Sequence, residues 1–175
     1  MRVQTVKLVD EYAGRAVTRL LRRVRACVAD RPPQRILFVK FWGLGSIVLA
    51  SGAIRAVRTA FPDARIDVLT LAENEDVCRH VGLFDRVHTV RISRWDTFAR
   101  TVASLAPELQ RARYDTVVDL ELFAYASAVA ALATGAPRRF GFAKGAAPLF
   151  TSTVPFDPSR HVTESFRALA AAVTG

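Results

Sequence analysis

A chain of 175 residues, 51% of them hydrophobic, can bury one good core, and a charged fraction of 23% without Gly/Ser or Pro/Gln tracts excludes a disordered polyelectrolyte. No run of about 18 apolar residues exists to span a membrane, and the charged stretch after Met1 lacks the apolar centre of a secretion signal. Cys27 and Cys78 stand far apart without a CxxC or Cys/His cluster, so neither a disulfide framework nor a metal site is expected, and a reducing cytosol fits.

The net charge of +9 rests mostly on arginine, since only Lys7, Lys40 and Lys144 are lysines. It is unevenly placed. Arg2, Lys7, Arg15, Arg19, Arg22, Arg23, Arg25 and Arg31 against Asp10, Glu11 and Asp30 put +5 into the first 31 residues. Neither interleaved aromatics nor a nucleic-acid reading motif accompanies the charge, so no nucleic acid is expected. An anionic surface, either a phosphorylated glycolipid or the inner face of the membrane met peripherally, suits it better.

In chain order, residues 5–29 place Leu8, Tyr12, Ala16, Leu20, Val24 and Cys27 at helical spacing until Arg31-Pro32-Pro33 stops the helix. Residues 1–33 therefore read as a basic amphipathic extension, and 34–175 as the main domain. A helix packed on that domain is favoured over one lying on a membrane. Ile36–Val39 reads as a buried strand, followed by Phe41-Trp42-Gly43-Leu44-Gly45 and a helix with Ile47, Ala50, Ala53, Ile54 and Val57 inward. Ser46 reads as the N-cap of that helix. Phe61-Pro62-Asp63 turns into a strand at Ile66–Leu71, residues 73–81 are helical, and Val87–Val90 is a third strand. A long helix over 95–112 leads through Tyr114-Asp115 to a strand at Thr116–Leu120. Ala124–Ala133 is helical, Arg139–Phe142 is a fifth strand, 143–160 is loop, and His161–Val173 is the last helix.

Strands alternating with helices at this spacing predict an α/β fold, a Rossmann-like parallel sheet of five or more strands with helices on both faces. In such sheets ligands bind beyond the carboxyl ends of the strands, which selects Phe41–Ser46, Glu73–Glu75, Arg91–Trp95, Asp119–Phe123 and Ala143–Gly145. The pair Gly43 and Gly45 lacks the third glycine of the dinucleotide fingerprint, because Val48 stands there, and no GK[ST] follows to make a P-loop. What is left is a tight turn whose free N–H groups can hold an anion or a hydroxyl.

Several ordered blocks then carry a resemblance. Residues 35–58, from Arg35-Ile36-Leu37-Phe38-Val39-Lys40 through the glycine turn to Ala56-Val57-Arg58, are similar to the opening of the family-9 glycosyltransferases, the ADP-heptose:lipopolysaccharide heptosyltransferases. Phe61-Pro62-Asp63-Ala64-Arg65-Ile66-Asp67 resembles that family's approach to the second strand, and Tyr114-Asp115-Thr116-Val117-Val118-Asp119-Leu120-Glu121 its fourth. Gly135-Ala136-Pro137-Arg138-Arg139-Phe140-Gly141-Phe142 and His161-Val162-Thr163-Glu164 resemble two further blocks. The resemblance implies the N-terminal half of a GT-B fold, the half that holds a glycolipid acceptor. The nucleotide-sugar donor, ADP-heptose by the same likeness, would be held by a second domain absent from this sequence. No cofactor is implied.

Two departures bear on chemistry. The resemblance implies an aspartate general base where Ser46 stands, and a serine hydroxyl is far too weak a base near neutrality. A glutamate, Glu121, replaces the family's glutamine in the fourth block. Glu121 is thus expected either to take over as catalytic base or to bind sugar hydroxyls, or else to be an ordinary strand-end charge. With Ser46, the expected acceptor-binding residues are Phe41, Trp42, Gly43, Gly45 and Lys144. Phe41 and Trp42 would stack on a sugar, although packing at a loop corner is commoner for Trp. Arg138, Arg139 and Lys144 are candidates for acceptor phosphates. His161 and Glu164 are candidates for a hinge or phosphate contact, or for a helix-start contact with each other. Asp119 is expected beneath Glu121 as a supporting carboxylate, and His80 and His88 at the surface. A catalytically inactive glycan-binding module is the alternative to the enzyme.

Overall fold

The computed structural model describes residues 31–91, 95–122, 125–143 and 146–175, without the side chains of 95–99 and 101–103. The extension read over residues 5–29 lies outside the described residues, as does Lys144.

Six strands form one parallel sheet: β1 (Arg35–Lys40), β2 (Arg65–Leu71), β3 (Arg86–Val90), β4 (Thr116–Asp119), β5 (Arg138–Phe142) and β6 (Ser152–Val154). Five helices connect or follow them: α1 (Leu44–Ala60), α2 (Glu75–Val81), α3 (Trp95–Arg111), α4 (Tyr125–Ala133) and α5 (Val162–Thr174). The sheet order is β3-β2-β1-β4-β5-β6. The chain therefore winds outward from β1 in one direction, then restarts at β4 and winds the other way. Between β1 and β4 the connections part to opposite faces, and a crevice opens at the carboxyl ends of these two strands.

Strand alternation splits the core into two layers. Ile36, Phe38, Ile66, Val68 and Val118 face one way and pack with Ile47, Ile54, Cys78, Phe166 and Leu169 from α1, α2 and α5. Leu37, Val39, Leu69 and Val117 face the other way, against Leu109 of α3 and Ala126, Ala130 and Ala131 of α4. β1 is buried along almost its whole length, as a central parallel strand must be.

Two details differ from the sequence expectation. The stretch 143–160 holds a one-turn 3-10 helix, Ala147–Leu149, and the edge strand β6. Three residues, Ser-Thr-Val, carry too little apolar pattern to be read as a strand. They become one because Phe140–Phe142 offer an open sheet edge to pair with. The second helix also begins later, with Ala72–Asn74 forming a 3-10 turn ahead of α2.

Candidate functional site

The segment Phe41–Gly43 leaves β1 at the crevice and must reverse into α1 within three residues. Gly43 makes that possible with φ 87°, and it is Gly43, not Ser46, that occupies the N-cap position. Ser46 sits three residues inside the helix. Its amide closes on the Gly43 carbonyl at 2.9 Å, and its hydroxyl donates back to the same carbonyl at 2.6 Å and to that of Trp42 at 3.2 Å. A Cβ on residue 43 would lie 2.7 Å from the Ser46 hydroxyl, so the glycine and the serine are fitted to each other. At Gly45 a Cβ would meet nothing within 4 Å, which leaves open space over the first turn. The amides of Leu44 and Gly45 have no partner among the described residues, as expected at the start of a helix.

A buried polar network holds this turn from both sides. From β4, Glu121 Oε1 accepts hydrogen bonds from the Phe41 and Trp42 amides, both at 2.7 Å, and pairs with Lys40 Nζ at 3.0 Å. The Lys40 and Glu121 side chains are only 6% and 7% exposed. From the β2 side, Thr70 donates to the Lys40 carbonyl at 2.6 Å. Asn74 donates to the Phe41 carbonyl at 2.8 Å and to the Thr70 hydroxyl at 3.1 Å. Beneath them, Asp119 Oδ1 accepts from the Glu121 amide at 2.9 Å, the supporting place expected of it. Burial pushes the Asp119 carboxyl up to about 8, outweighing the hydrogen bonds from the Glu121 amide and Ser127 that oppose the rise.

The sequence candidates thus meet unequally. Gly43, Gly45, Ser46, Trp42 and Glu121 converge at the crevice. Phe41 joins them through its backbone alone: its ring is buried in the α3/α4 layer, and Trp42 packs edge-on against it with centroids 5.6 Å apart. Stacking of Phe41 on a sugar is therefore corrected, because the strand parity that brings its amide to Glu121 turns its ring inward. Arg138 and Arg139 belong to the opposite end of the sheet, where β5 starts. Arg138 pairs with Asp115 at 3.0 Å, while Arg139 is buried and donates to the carbonyls of Leu149 and Ala136, burial lowering its pKa.

His161 caps α5, its Nδ1 accepting from the Thr163 amide at 3.4 Å and lying 2.7 Å from the Thr163 hydroxyl. The expected His161–Glu164 side-chain contact is replaced by this one, and Glu164 faces Arg160 at 3.6 Å. His80 is exposed, as expected, but His88 is buried. It lies 2.9 Å from the Tyr114 hydroxyl, which donates to the buried Asp67 at 2.6 Å. Burial alone would raise the Asp67 carboxyl. Contacts with His88, Arg65 and Tyr114 prevail and hold it at about 2. Lys40, Thr70 and Asn74 were not singled out from sequence. Lys40 had a legible signal, a lone lysine ending an otherwise apolar strand.

Among solved structures, the chain superposes on a family-9 glycosyltransferase from Veillonella parvula with a TM-score of 0.73 and 19% identity, over 86% of this chain and 43% of that one. Over the aligned part the chain shares the Rossmann-like fold of that glycosyltransferase. E. coli heptosyltransferase WaaC with ADP aligns with a TM-score of 0.68 and 22% identity, over 81% of this chain and 47% of that one. E. coli ADP-heptose LPS heptosyltransferase II follows with 0.64 and 19%, over 78% and 40%. The chain accordingly spans less than half the length of these proteins. No protein-family model and no curated protein matches its sequence. Among the described residues no group of His, Cys, Asp or Glu is placed to hold a metal, and no helix is long and apolar enough to cross a membrane.

Proposed function

We propose that this chain is the acceptor-side half of an inverting glycosyltransferase that moves a heptose or related sugar from a nucleotide-sugar, ADP-heptose by fold analogy, to a lipopolysaccharide-type glycolipid. The observation that carries the reading is the Gly43–Ser46 turn, held rigidly at the β1/β4 crevice of a heptosyltransferase fold. Its open first turn presents the Leu44 and Gly45 amides, a place for a sugar hydroxyl or phosphate oxygen. Trp42, half-buried beside it, offers an apolar wall.

Beside the roles expected of Glu121 from the sequence, catalytic base, binder of sugar hydroxyls or ordinary strand-end charge, the geometry favours a further one, holder of the turn. Its Oε1 already accepts three donors and its side chain is almost wholly enclosed. In a two-domain relative carrying the same Lys–Glu pair, the equivalent of Glu121→Gln is expected to keep turnover within about tenfold, with an unchanged pH profile. A loss of about 10²-fold or more with a shifted acidic limb would restore the base reading.

A second reading, a glycan-binding module without catalysis, is favoured by Ser46, whose hydroxyl is spent on the Gly43 and Trp42 carbonyls and carries no base. Calorimetric titration of the chain with a phosphorylated lipopolysaccharide core fragment and, separately, with ADP tests the proposal. Saturable binding of the glycan and none of ADP is the expected result. Binding of ADP alone would overturn the acceptor assignment, and binding of neither would leave only the fold. Adding the donor-side half of a two-domain heptosyltransferase in trans and measuring sugar transfer separates enzyme from module.

A further inference from the structure

His88, buried on β3, has acceptors before both of its ring nitrogens. On one side Nε2 lies 2.9 Å from the Tyr114 hydroxyl oxygen and 3.7 Å from Asp67 Oδ2. The single hydroxyl proton of Tyr114 goes to Asp67, at 2.6 Å. Burial and the neighbouring Asp67 raise the pKa of the phenol and hold that proton on it, while Asp67, held at about 2, stays ionised. The phenol oxygen therefore accepts from His88, and Nε2 carries a proton. On the other side Nδ1 lies 3.4 Å from Oε1 of Glu108, in the last turn of α3. That oxygen is enclosed and has no aligned hydrogen bond among the described residues, although Arg86 Nη2 stands 2.7 Å away.

Neither neutral form of the imidazole suits both sides. With its proton on Nε2, the bare Nδ1 faces a carboxylate oxygen. With its proton on Nδ1, the bare Nε2 faces a phenol oxygen that has already given its proton away. Imidazolium alone presents a donor to each. The charged groups around it are Asp67 and Arg65 from β2, Glu108 from α3 and Arg86 from its own strand. The two arginines meet the same carboxylates from positions 45% and 55% exposed, where water screens them. His88 meets them from within, its side chain 3% exposed.

We propose that His88, as a doubly protonated imidazolium, clasps the last turn of α3 to the β2/β3 side of the sheet and releases it when one proton is lost. In the clasped state contacts run unbroken from Glu108 through His88 and Tyr114 to Asp67. Loss of the Nδ1 proton leaves Nε2–H on Tyr114 and sets a bare nitrogen against Glu108. The clasp is therefore closed at the acid end of the imidazole range and opens as pH rises. Leu109, wholly buried, keeps α3 on the core, so the response is a loosening of its last turn and not loss of the fold. None of the crevice residues takes part, so the inference stands or falls independently of the proposed activity.

Nuclear magnetic resonance of the full chain, labelled with nitrogen-15 in its histidine rings, tests this directly. The exposed-site variants His80→Gln and His161→Gln remove the other two histidine signals and leave His88 assigned. Both His88 nitrogens are expected to be protonated at about pH 5.5, and Nδ1 alone should lose its proton as pH rises across about 5–8. Over the same step, amide exchange at Leu109, Gln110 and Arg111, corrected for intrinsic rates, should quicken at least about tenfold. Glu108→Gln keeps the shape but removes the charge, and should move the step to lower pH by about one unit. A bare Nδ1 at the acid end would overturn the proposal. So would a titration that leaves exchange in the last turn of α3 unchanged, or a Glu108→Gln variant whose step stays where it was.

Discussion

Asp119 and Glu121 are two residues apart, yet their surroundings give them different work. Glu121 gathers three donors and stays within a bonded network, whereas Asp119 is buried where its neutral form is preferred up to about 8. Because the folded chain holds the Asp119 proton more tightly than the unfolded chain does, this group stabilises the fold at low pH. That contribution is lost as pH rises from about 4 to about 8. Asp119→Asn is expected to flatten that part of the stability–pH curve and to raise the urea midpoint at pH 8. A curve as steep as that of the parent would contradict the assignment. The Lys40–Glu121 pair answers to the opposite logic. Glu121→Ala strands a buried ammonium and two amides, and should cost about 3–5 kcal/mol in chemical denaturation. Glu121→Gln, which still accepts from both amides, should cost visibly less.

At the scale of the element, the turn from β1 into α1 separates two glycines that look equivalent in sequence. Gly43→Ala forces a side chain into the left-handed region and against the Ser46 hydroxyl, and is expected to destabilise by about 1–2 kcal/mol. Gly45→Ala meets nothing and removes a poor helix former, so stability should hold or rise, by up to about 1 kcal/mol. The same alanine would stand over the free amides of the first turn, so under the proposed function it should weaken glycan binding. Thermal melts paired with the calorimetric titration distinguish the two effects. A Gly45→Ala variant that binds normally would move the ligand away from this turn. The edge of the sheet shows the same close fitting, since a Cβ on Gly141 would run into the Phe150 ring.

For the whole molecule, one sheet serves two cores, and both should therefore unfold together. Phe166→Ala empties a site in the α1/α5 layer and Leu109→Ala one in the α3/α4 layer, each at a cost of about 3–5 kcal/mol. Each variant should shift a single transition seen alike by near- and far-ultraviolet circular dichroism. Two separate transitions would mean that the layers are independent. At acid pH the Asp67 cluster sets the limit: with its carboxyl held at about 2, its stabilisation is complete above about pH 4 and lost as pH falls through 2.

The alternation of short β-branched runs with amphipathic helices determined the class of the fold from sequence alone, because burial on one face or two is written directly into hydrophobic period. Gly43 and Glu121 were legible for a related reason: a glycine pair after a first strand and an acid at a strand end are local patterns with local causes. The partners were not legible. Whether Glu121 faces a ligand or the Phe41 and Trp42 amides depends on which strands become neighbours, and β1 meets β4 across some 80 residues of chain. The same is true of His88, which sequence placed at the surface and the packing of Tyr114 and Asp67 drew inside. Ser-Thr-Val at 152–154 is a strand only because an edge was waiting for it. Periodicity belongs to the chain, whereas hydrogen-bond partners and burial belong to the assembled sheet, whose order no single segment encodes.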